Sequence, residues 1–337
     1  MLFRSTGGPI GHALAIGFSQ AGRYLRHHLS EGFNRDEQGR RVFDGIYSHI
    51  AGIGRIFFNM PFAQPARTGT QHEDHDFPEN WFPFSTAPVD DPLTGRSGSL
   101  LRGDGSDPLL IETNTSTEYW QKGASLLHTD PLGTRDVAPP TGTRVYLIPG
   151  TQHGGKANMP RDAGACVAPR NWHDPMGAVR ALLVALDEWV VSGREPPPNN
   201  IPTIAEGTLV SASAVAFPSL PGLSPPATAN DVYPPGDWTD PSEPTARYGA
   251  LVPQVGSDGN EIAGIRLPDV AVPTGMFAGW NRYREPHPAG ELADREGTFL
   301  AFDAPPTDRS DAVRAVAADL VAQRLLLAED AAAYNPA

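Results

Sequence analysis

The chain has 337 residues and a formal net charge of −13 at pH 7. An acidic surface repels nucleic acid phosphates and anionic membrane surfaces, so we expect neither as a partner. Cys166 is the only cysteine, which excludes an internal disulfide and a thiolate metal cluster.

The sequence shows no targeting or membrane signal. The opening MLFRSTGG lacks the charged, apolar and small-residue order of a signal peptide. No run approaches about 18 apolar residues, so we expect no membrane-spanning helix. The compartment and the oligomeric state stay open.

The first half of the chain alternates strands and helices. Apolar runs predict four strands, within residues 13–18, 41–52, 107–113 and 143–150. Helical patterns predict a helix over 19–32, a short helix or irregular turn over 116–128, and a helix that Asp174 and Pro175 begin and Gly193 ends. This alternation predicts the α/β class, with a mostly parallel sheet and helices on both faces.

A loop-rich insert at 59–105 interrupts this pattern. We expect it to form a lid over the site, with His72, Trp81 and Phe82 facing the substrate. His72 and His75, with acidic neighbours, could also suggest a metal site. That spacing is common in exposed loops, so we predict no metal.

After residue 198 the sequence becomes rich in proline and glycine. We expect residues 1–198 to form the catalytic core and 199–337 a loop-rich C-terminal extension. The pattern predicts a strand over 208–217 and a hairpin over 250–267, which turns at Asp258 and Gly259. It also predicts a final helix over 310–334.

One short stretch carries chemistry: Gly17-Phe18-Ser19-Gln20-Ala21-Gly22. A sharp turn from strand to helix with the pattern G-x-S-x-G lifts a nucleophilic serine out of a sheet. Ala21 replaces the second glycine, and alanine is small enough to fit. The alternative is a serine that merely caps the helix in an ordinary loop.

A serine needs a histidine to take its proton. In α/β hydrolases the acid follows the serine in the chain and the histidine comes last, each after a strand. Glu118 follows the third predicted strand and His153 the fourth, so we predict a triad of Ser19, His153 and Glu118. The N–H of Gln20 would hold the oxyanion.

The alternatives stay open at this point. A loop histidine among glycines is often plain surface, and Glu118 could pair with a neighbouring cation. The rival acids are Glu112, Asp130 and Asp136.

Several long stretches, among them GFSQAGRYLR, NTSTEYW, RVYLIPGTQHG and DGNEIAGIRLPDVAVP, resemble a bacterial family of alpha/beta hydrolase domain-containing proteins. The resemblance runs from about Ala13 to Trp280, and is more remote to tannases and feruloyl esterases. It implies a serine hydrolase that acts on a small-molecule ester without a cofactor. Two alternatives are an amidase or peptidase with the same triad, and an inactive fragment or binding module.

In that fold the serine strand is the fifth of eight. The resemblance therefore implies that four N-terminal strands, and an early loop with the second oxyanion donor, are missing from a truncated chain. We expect the strand around Ala13–Phe18 to pair with the strand around Val42–Ile50 and to leave its other edge bare.

Overall fold

The computed structural model of the protein describes residues 11–56, 80–220, 222–234, 246–306 and 308–334. The first half of the chain forms, in order, β1 (Leu14–Phe18), α1 (Gln20–Ser30), β2 (Gly45–His49), β3 (Val89–Asp91), β4 (Arg96–Gly98), β5 (Leu109–Thr115), α2 (Ser116–Gln121), β6 (Thr143–Ile148) and α3 (Met176–Ser192). The second half forms β7 (Leu209–Val210), β8 (Val252–Pro253), α4 (Pro268–Ala271), β9 (Gly275–Ala278), β10 (Thr298–Ala301), α5 (Ser310–Ala322) and α6 (Ala328–Ala331).

The centre is a parallel sheet of four strands in the order β1-β2-β5-β6. These are the four strands that the apolar runs predict, and the α/β class is confirmed. Because the strands are parallel, their carboxyl ends reach the same edge of the sheet. The loops that follow Phe18, His49, Thr115 and Ile148 therefore start close together.

Helices cover both faces of this sheet. Ile46 and Leu110 pack with Leu25 and Leu29 of α1 on one face. The next residues along the same strands, Tyr47 and Ile111, point the other way and pack with Ala178, Val179 and Leu182 of α3. Every residue of β2 is buried, as expected for a strand between two helical layers.

The segments after residue 198 pack directly on this core. Ile265 N–H donates to the Leu147 carbonyl of β6 at 2.8 Å. Thr117 of α2 donates its hydroxyl to the Gly279 carbonyl at 2.7 Å. A Cβ at Gly279 would lie 2.2 Å from the Ser116 Cβ, so only glycine lets the end of β9 approach α2 this closely. The boundary at residue 198 stays a prediction.

The predicted strand and the predicted hairpin of this region contain fewer paired residues than expected. The strand over 208–217 is limited to β7, because the chain turns into a short 3-10 segment at Ala212–Ala214. The hairpin over 250–267 keeps one bridge, between Val255 and Glu261. β8 pairs with β7 instead. The Asn260 side chain also bonds Gly275 O at 3.2 Å and Phe277 N at 2.9 Å, which ties the turn to β9.

The predicted final helix over 310–334 is broken. α5 ends at Ala322, and Arg324 has a φ of 63°. Its guanidinium donates to the Glu195 carbonyl at 2.8 Å and pairs with Glu188. This turn directs Leu325 and Leu326 into the core beside α3, a position that a straight helix could not provide.

β1 lies at an edge of the sheet. It pairs with β2, as predicted, and no other strand pairs with it within the described ranges. Leu14, Ile16 and Phe18 share one face, and their exposed fractions are 36%, 43% and 38%. Separately, no described helix combines the length and the apolar character that crossing a membrane requires.

An exposed apolar edge strand favours association between copies of a protein. We therefore expect the wild type to self-associate at high concentration, and Ile16→Thr to do so less. Threonine suits a strand, so the free energy of unfolding should change by less than about 0.5 kcal/mol. Light scattering and urea denaturation measure the two effects.

Ile46→Thr is the matched control, because Ile46 has no exposed surface. It should cost about 1–3 kcal/mol through the buried hydroxyl. Equal association of the wild type and Ile16→Thr would show that this edge does not drive it.

Candidate active site

Ser19 occupies a strained turn between β1 and α1. Its φ and ψ are 52° and −115°, a conformation that non-glycine residues rarely adopt and that costs on the order of 1–3 kcal/mol. The turn is held by two hydrogen bonds of 2.9 Å: Ser19 N–H donates to His49 O, and Arg23 N–H donates to Ser19 O. The serine side chain is thereby fixed at the carboxyl edge of the sheet.

The small residues around the serine have different tasks. A Cβ at Gly17 would lie 2.5 Å from the Ala21 carbonyl, and one at Gly22 would lie 3.0 Å from the His49 carbonyl. Gly22 is therefore the residue at which α1 comes close to β2 and at which a side chain would be too large. Ala21 is exposed, which explains why the departure from G-x-S-x-G is tolerated.

The structure brings the three predicted triad residues together. Ser19 Oγ lies 2.8 Å from His153 Nε2. His153 Nδ1 lies 2.6 Å from Glu118 Oε1. The Glu118 side chain is fully buried, and that of His153 is 11% exposed. This row can pass a proton from the serine hydroxyl to the imidazole and stabilise the charge that results.

The helix α2 holds both the acid and the histidine loop. Glu118 Oε2 accepts the Thr115 N–H at 2.9 Å and also the Thr115 hydroxyl. The sequence Thr-x-x-Glu is a capping box, so the carboxylate that faces His153 also begins the helix. His153 N–H donates to Thr117 Oγ1 at 3.2 Å.

Glu118 is ionised despite its burial. Burial alone would raise the pKa of Glu118, but the charge of His153 and the hydrogen bonds from His153 and Thr115 outweigh it and hold the pKa below its ordinary value. An ionised carboxylate keeps the proton of the neutral imidazole on Nδ1. Nε2 is then the atom that can accept the proton of Ser19.

The rival acids have other partners. Glu112 forms a buried ion pair with Arg26 of α1. Asp130 accepts the N–H groups of Thr134 at 2.7 Å and Arg135 at 2.9 Å within its own turn. Asp136 accepts the N–H groups of Ile204 at 2.8 Å and Ala205 at 2.9 Å. Each has a structural role that explains its presence.

Gln20 is the first residue of α1. Its N–H is one of the first-turn donors that have no acceptor within the helix, and it follows the serine directly. The positive end of the helix dipole also favours a negative charge at this point. The backbone of Gln20 can therefore donate to an oxyanion that forms on a carbonyl attacked by Ser19.

Of the predicted lid residues, His72 lies outside the described residues. The Trp81 carbonyl accepts a hydrogen bond from Arg55 at 2.6 Å. Phe82 is 2% exposed and packs in the core with Tyr119 and Phe84. Phe82 is therefore part of the packing that supports α2, and it lines neither of the two cavities described below.

Two buried polar residues that sequence reasoning missed lie at the same edge. His49 ends β2, and its Nδ1 lies 2.7 Å from Thr113 Oγ1. Burial lowers the pKa of His49 to about 4, so the ring is neutral. The predicted strand over 41–52 placed His49 in its interior, and only the observed end of β2 at His49 shows its place at this edge.

Glu261 is the second missed residue. Its Oε2 accepts the Ser116 hydroxyl at 2.5 Å and the Gly150 N–H at 3.2 Å. It thus joins the start of α2 to the loop that carries His153. Burial raises the pKa of Glu261 to about 7, although Ser116 and Gly150 donate to its carboxylate. No local pattern in the sequence signals this long-range clamp.

Two cavities meet at Ile50, a β-branched residue with a φ of 51°. The small cavity, about 70 Å³, is lined by Ser19, Arg23, Ile50, Ala51, Lys122, His153, Asp294 and Arg295. The large cavity, about 560 Å³, is lined by Phe18, His49, Ile50, Met176, Arg180, the loop Gly154–Asn158, Asp174 and Pro175. Ser19 and His153 line the small cavity, and the large one adjoins it through the shared residue Ile50.

Within the described ranges, no three His, Cys, Asp or Glu side chains are grouped so that they could hold a metal ion. The acidic stretch around His72 is outside those ranges.

A family model described as "Alpha/beta hydrolase domain" matches residues 4–336 of the chain. No curated protein and no solved structure matches the chain.

The buried Glu261 generates a prediction on stability. In the folded protein Glu261 keeps its proton up to about pH 7, whereas the unfolded chain releases it near the ordinary value of 4.5. The folded state thus binds more protons in this window, and its stability falls as the pH rises through it. Glu261→Gln keeps an acceptor for Ser116 and does not titrate.

We expect the stability of Glu261→Gln relative to the wild type to increase by up to about 3 kcal/mol between pH 4.5 and pH 8, because each pH unit between the unfolded and folded pKa values contributes about 1.4 kcal/mol. Urea denaturation of both proteins across this range measures the difference. A difference that does not change with pH would contradict the buried, protonated state of Glu261.

Proposed function

The chain belongs to the alpha/beta hydrolase domain family, and from this premise we propose that it is a serine hydrolase that cleaves carboxylic esters through an acyl-enzyme. The observation that carries the proposal is the hydrogen-bonded row of Ser19, His153 and Glu118, with distances of 2.8 and 2.6 Å. The strained turn at Ser19 supports it, since such strain is concentrated at functional sites.

In the acylation step, His153 Nε2 takes the proton of Ser19 Oγ while Oγ forms a bond to the ester carbonyl carbon. The carbonyl oxygen becomes an oxyanion, which accepts the Gln20 N–H. Glu118 remains ionised and stabilises the imidazolium. The imidazolium then donates its proton to the alcohol oxygen as the C–O bond breaks, and the alcohol leaves.

In the deacylation step, a water molecule takes the place of the alcohol. His153 Nε2 accepts one proton of the water, and the water oxygen attacks the acyl carbon. The second tetrahedral intermediate collapses as the imidazolium returns the proton to Ser19 Oγ. The products are a carboxylic acid and the original enzyme, so the step balances with water as its one co-reactant.

A fluorophosphonate probe tests the nucleophile directly. We expect it to add covalently to the wild type and not to Ser19→Ala, as measured by intact-protein mass spectrometry. Ser97→Ala is the matched control, because Ser97 is an exposed serine far along the chain in β4, and it should label like the wild type. Equal labelling of the wild type and Ser19→Ala would exclude Ser19 as the nucleophile.

Turnover of p-nitrophenyl butyrate tests the acid. Glu118→Gln removes the charge that stabilises the imidazolium, so kcat/KM should fall by about 10²–10⁴-fold. Asp136→Asn is the matched control, since Asp136 caps backbone N–H groups elsewhere, and its kcat/KM should stay within about threefold. An equal loss in both variants would remove Glu118 from its assigned role.

The same assay separates an esterase from an amidase. We expect p-nitrophenyl butyrate to be hydrolysed much faster than the p-nitroanilide of butyric acid at equal concentration. Faster turnover of the anilide would favour an amidase or peptidase with the same triad. Absence of both fluorophosphonate labelling and turnover would favour an inactive fragment or binding module.

A further inference from the structure

The small cavity beside Ser19 has an unusual charge for this chain. Among its described lining residues, Arg23, Lys122 and Arg295 are cationic and Asp294 is the one acid. The chain as a whole carries a net charge of −13. Among the described lining residues, cationic side chains thus outnumber acidic ones, in contrast to the chain as a whole, and a lining of this kind attracts anions.

We propose that this cavity binds a carboxylate of the substrate, so that the enzyme prefers esters that carry a free carboxylate beside the scissile bond. Arg295 is the specificity-determining residue. The inference rests on the proposed function, because it names the substrate class of the same site.

The first support is the accessibility of Arg295. Asp294 lies 2.7 Å from Arg295 Nε and 3.5 Å from Lys122 Nζ, so a single carboxylate is shared by two cations. The Arg295 side chain is 60% exposed, whereas that of Asp294 is 15% exposed. The guanidinium therefore keeps donors at the cavity mouth, where a second carboxylate can bind in the two-pronged manner typical of arginine.

The second support is the way in which the loop is held. Arg295 has a φ of 62°, which is costly for a residue with a side chain. Gln121, 2% exposed, accepts the Arg295 N–H at 2.8 Å and donates to the Ala293 carbonyl at 2.9 Å. The buried amide of Gln121 therefore holds the strained backbone of Arg295 in one conformation, which places its guanidinium at the cavity in a fixed position.

The third support is the position of Gln121, whose side-chain amide holds the loop. Gln121 lies one turn after Glu118 on α2, so the same helix positions the triad acid and the cationic loop. Lys122 follows directly and also lines the cavity. The position of the cationic loop relative to the triad acid is therefore set by one helix, and a fixed spacing of this kind favours substrate discrimination.

The volumes of the two cavities fit an ester with one small anionic end and one bulky end. About 70 Å³ suits a carboxylate and a short stem, whereas the cavity of about 560 Å³ beyond Ile50 can take a bulky group. The anionic end would occupy the small cavity and the rest of the ester the large one.

Two matched ester pairs test the proposal. In the first pair the charge is on the acyl group: mono-4-nitrophenyl adipate against its methyl ester. In the second it is on the alcohol: 4-acetoxybenzoate against methyl 4-acetoxybenzoate. We expect the wild type to prefer the anionic member of at least one pair by about 10–100-fold in kcat/KM, mainly through KM.

Three variants identify the residue. The ratio of anionic to neutral kcat/KM should fall toward one in Arg295→Gln, be partly restored in Arg295→Lys, and invert in Arg295→Glu. A general loss of folded protein or of catalytic activity lowers kcat/KM for both esters equally, so it does not change this ratio. Arg314→Gln is the matched control, since Arg314 is an exposed arginine on α5, and it should keep the wild-type ratio.

The outcomes separate this inference from the proposed function. Turnover of the neutral esters without anionic preference, or a preference that survives in Arg295→Gln, would overturn the inference and leave the hydrolase. Absence of both fluorophosphonate labelling and turnover would remove the proposed function and the inference with it.

Discussion

The carboxylate of Glu118 is the interaction on which the site depends. One oxygen faces His153 Nδ1, and the other accepts the N–H and hydroxyl of Thr115 at the start of α2. The same group thus begins a helix and orients a histidine. Its lowered pKa follows from these contacts, and the ionised state in turn fixes the tautomer that faces Ser19. The same carboxylate therefore determines both the start of α2 and the orientation of His153.

Contacts from residues outside the central sheet hold α2, and with it Glu118, in position. Gly279 lets β9 approach α2, and Glu261 bonds both Ser116 and Gly150. Phe82 packs beneath α2 beside Tyr119. Phe82 precedes α2 in the chain, whereas Glu261 and Gly279 lie far after it, so the position of α2 depends on segments from both halves of the described chain.

The sheet and the meeting of Ser19, Glu118 and His153 at its edge could be predicted from sequence for one reason. Apolar runs mark buried strands, and parallel strands deliver the residues that follow them to one edge. Ser19, Glu118 and His153 each follow such a run, so their meeting needed no long-range information. The elements after residue 198 were harder, because their strands have two to four residues and are stabilised by side chains such as Asn260. Likewise, the break at Arg324 depends on Glu188 and Glu195, which lie far away in the sequence.

The loop at Asp294 and Arg295 reaches the cavity at Ser19 from the far end of the chain, and it is tied to α2 through Gln121 and a shared ion pair. The cationic loop and the row of Ser19, His153 and Glu118 thus come from separate stretches of sequence. A change in this loop can alter which molecules enter the cavity while the serine, histidine and glutamate keep their positions. Under the proposed function, a library randomised at Asp294 and Arg295 therefore explores substrate range without replacing Ser19, His153 or Glu118.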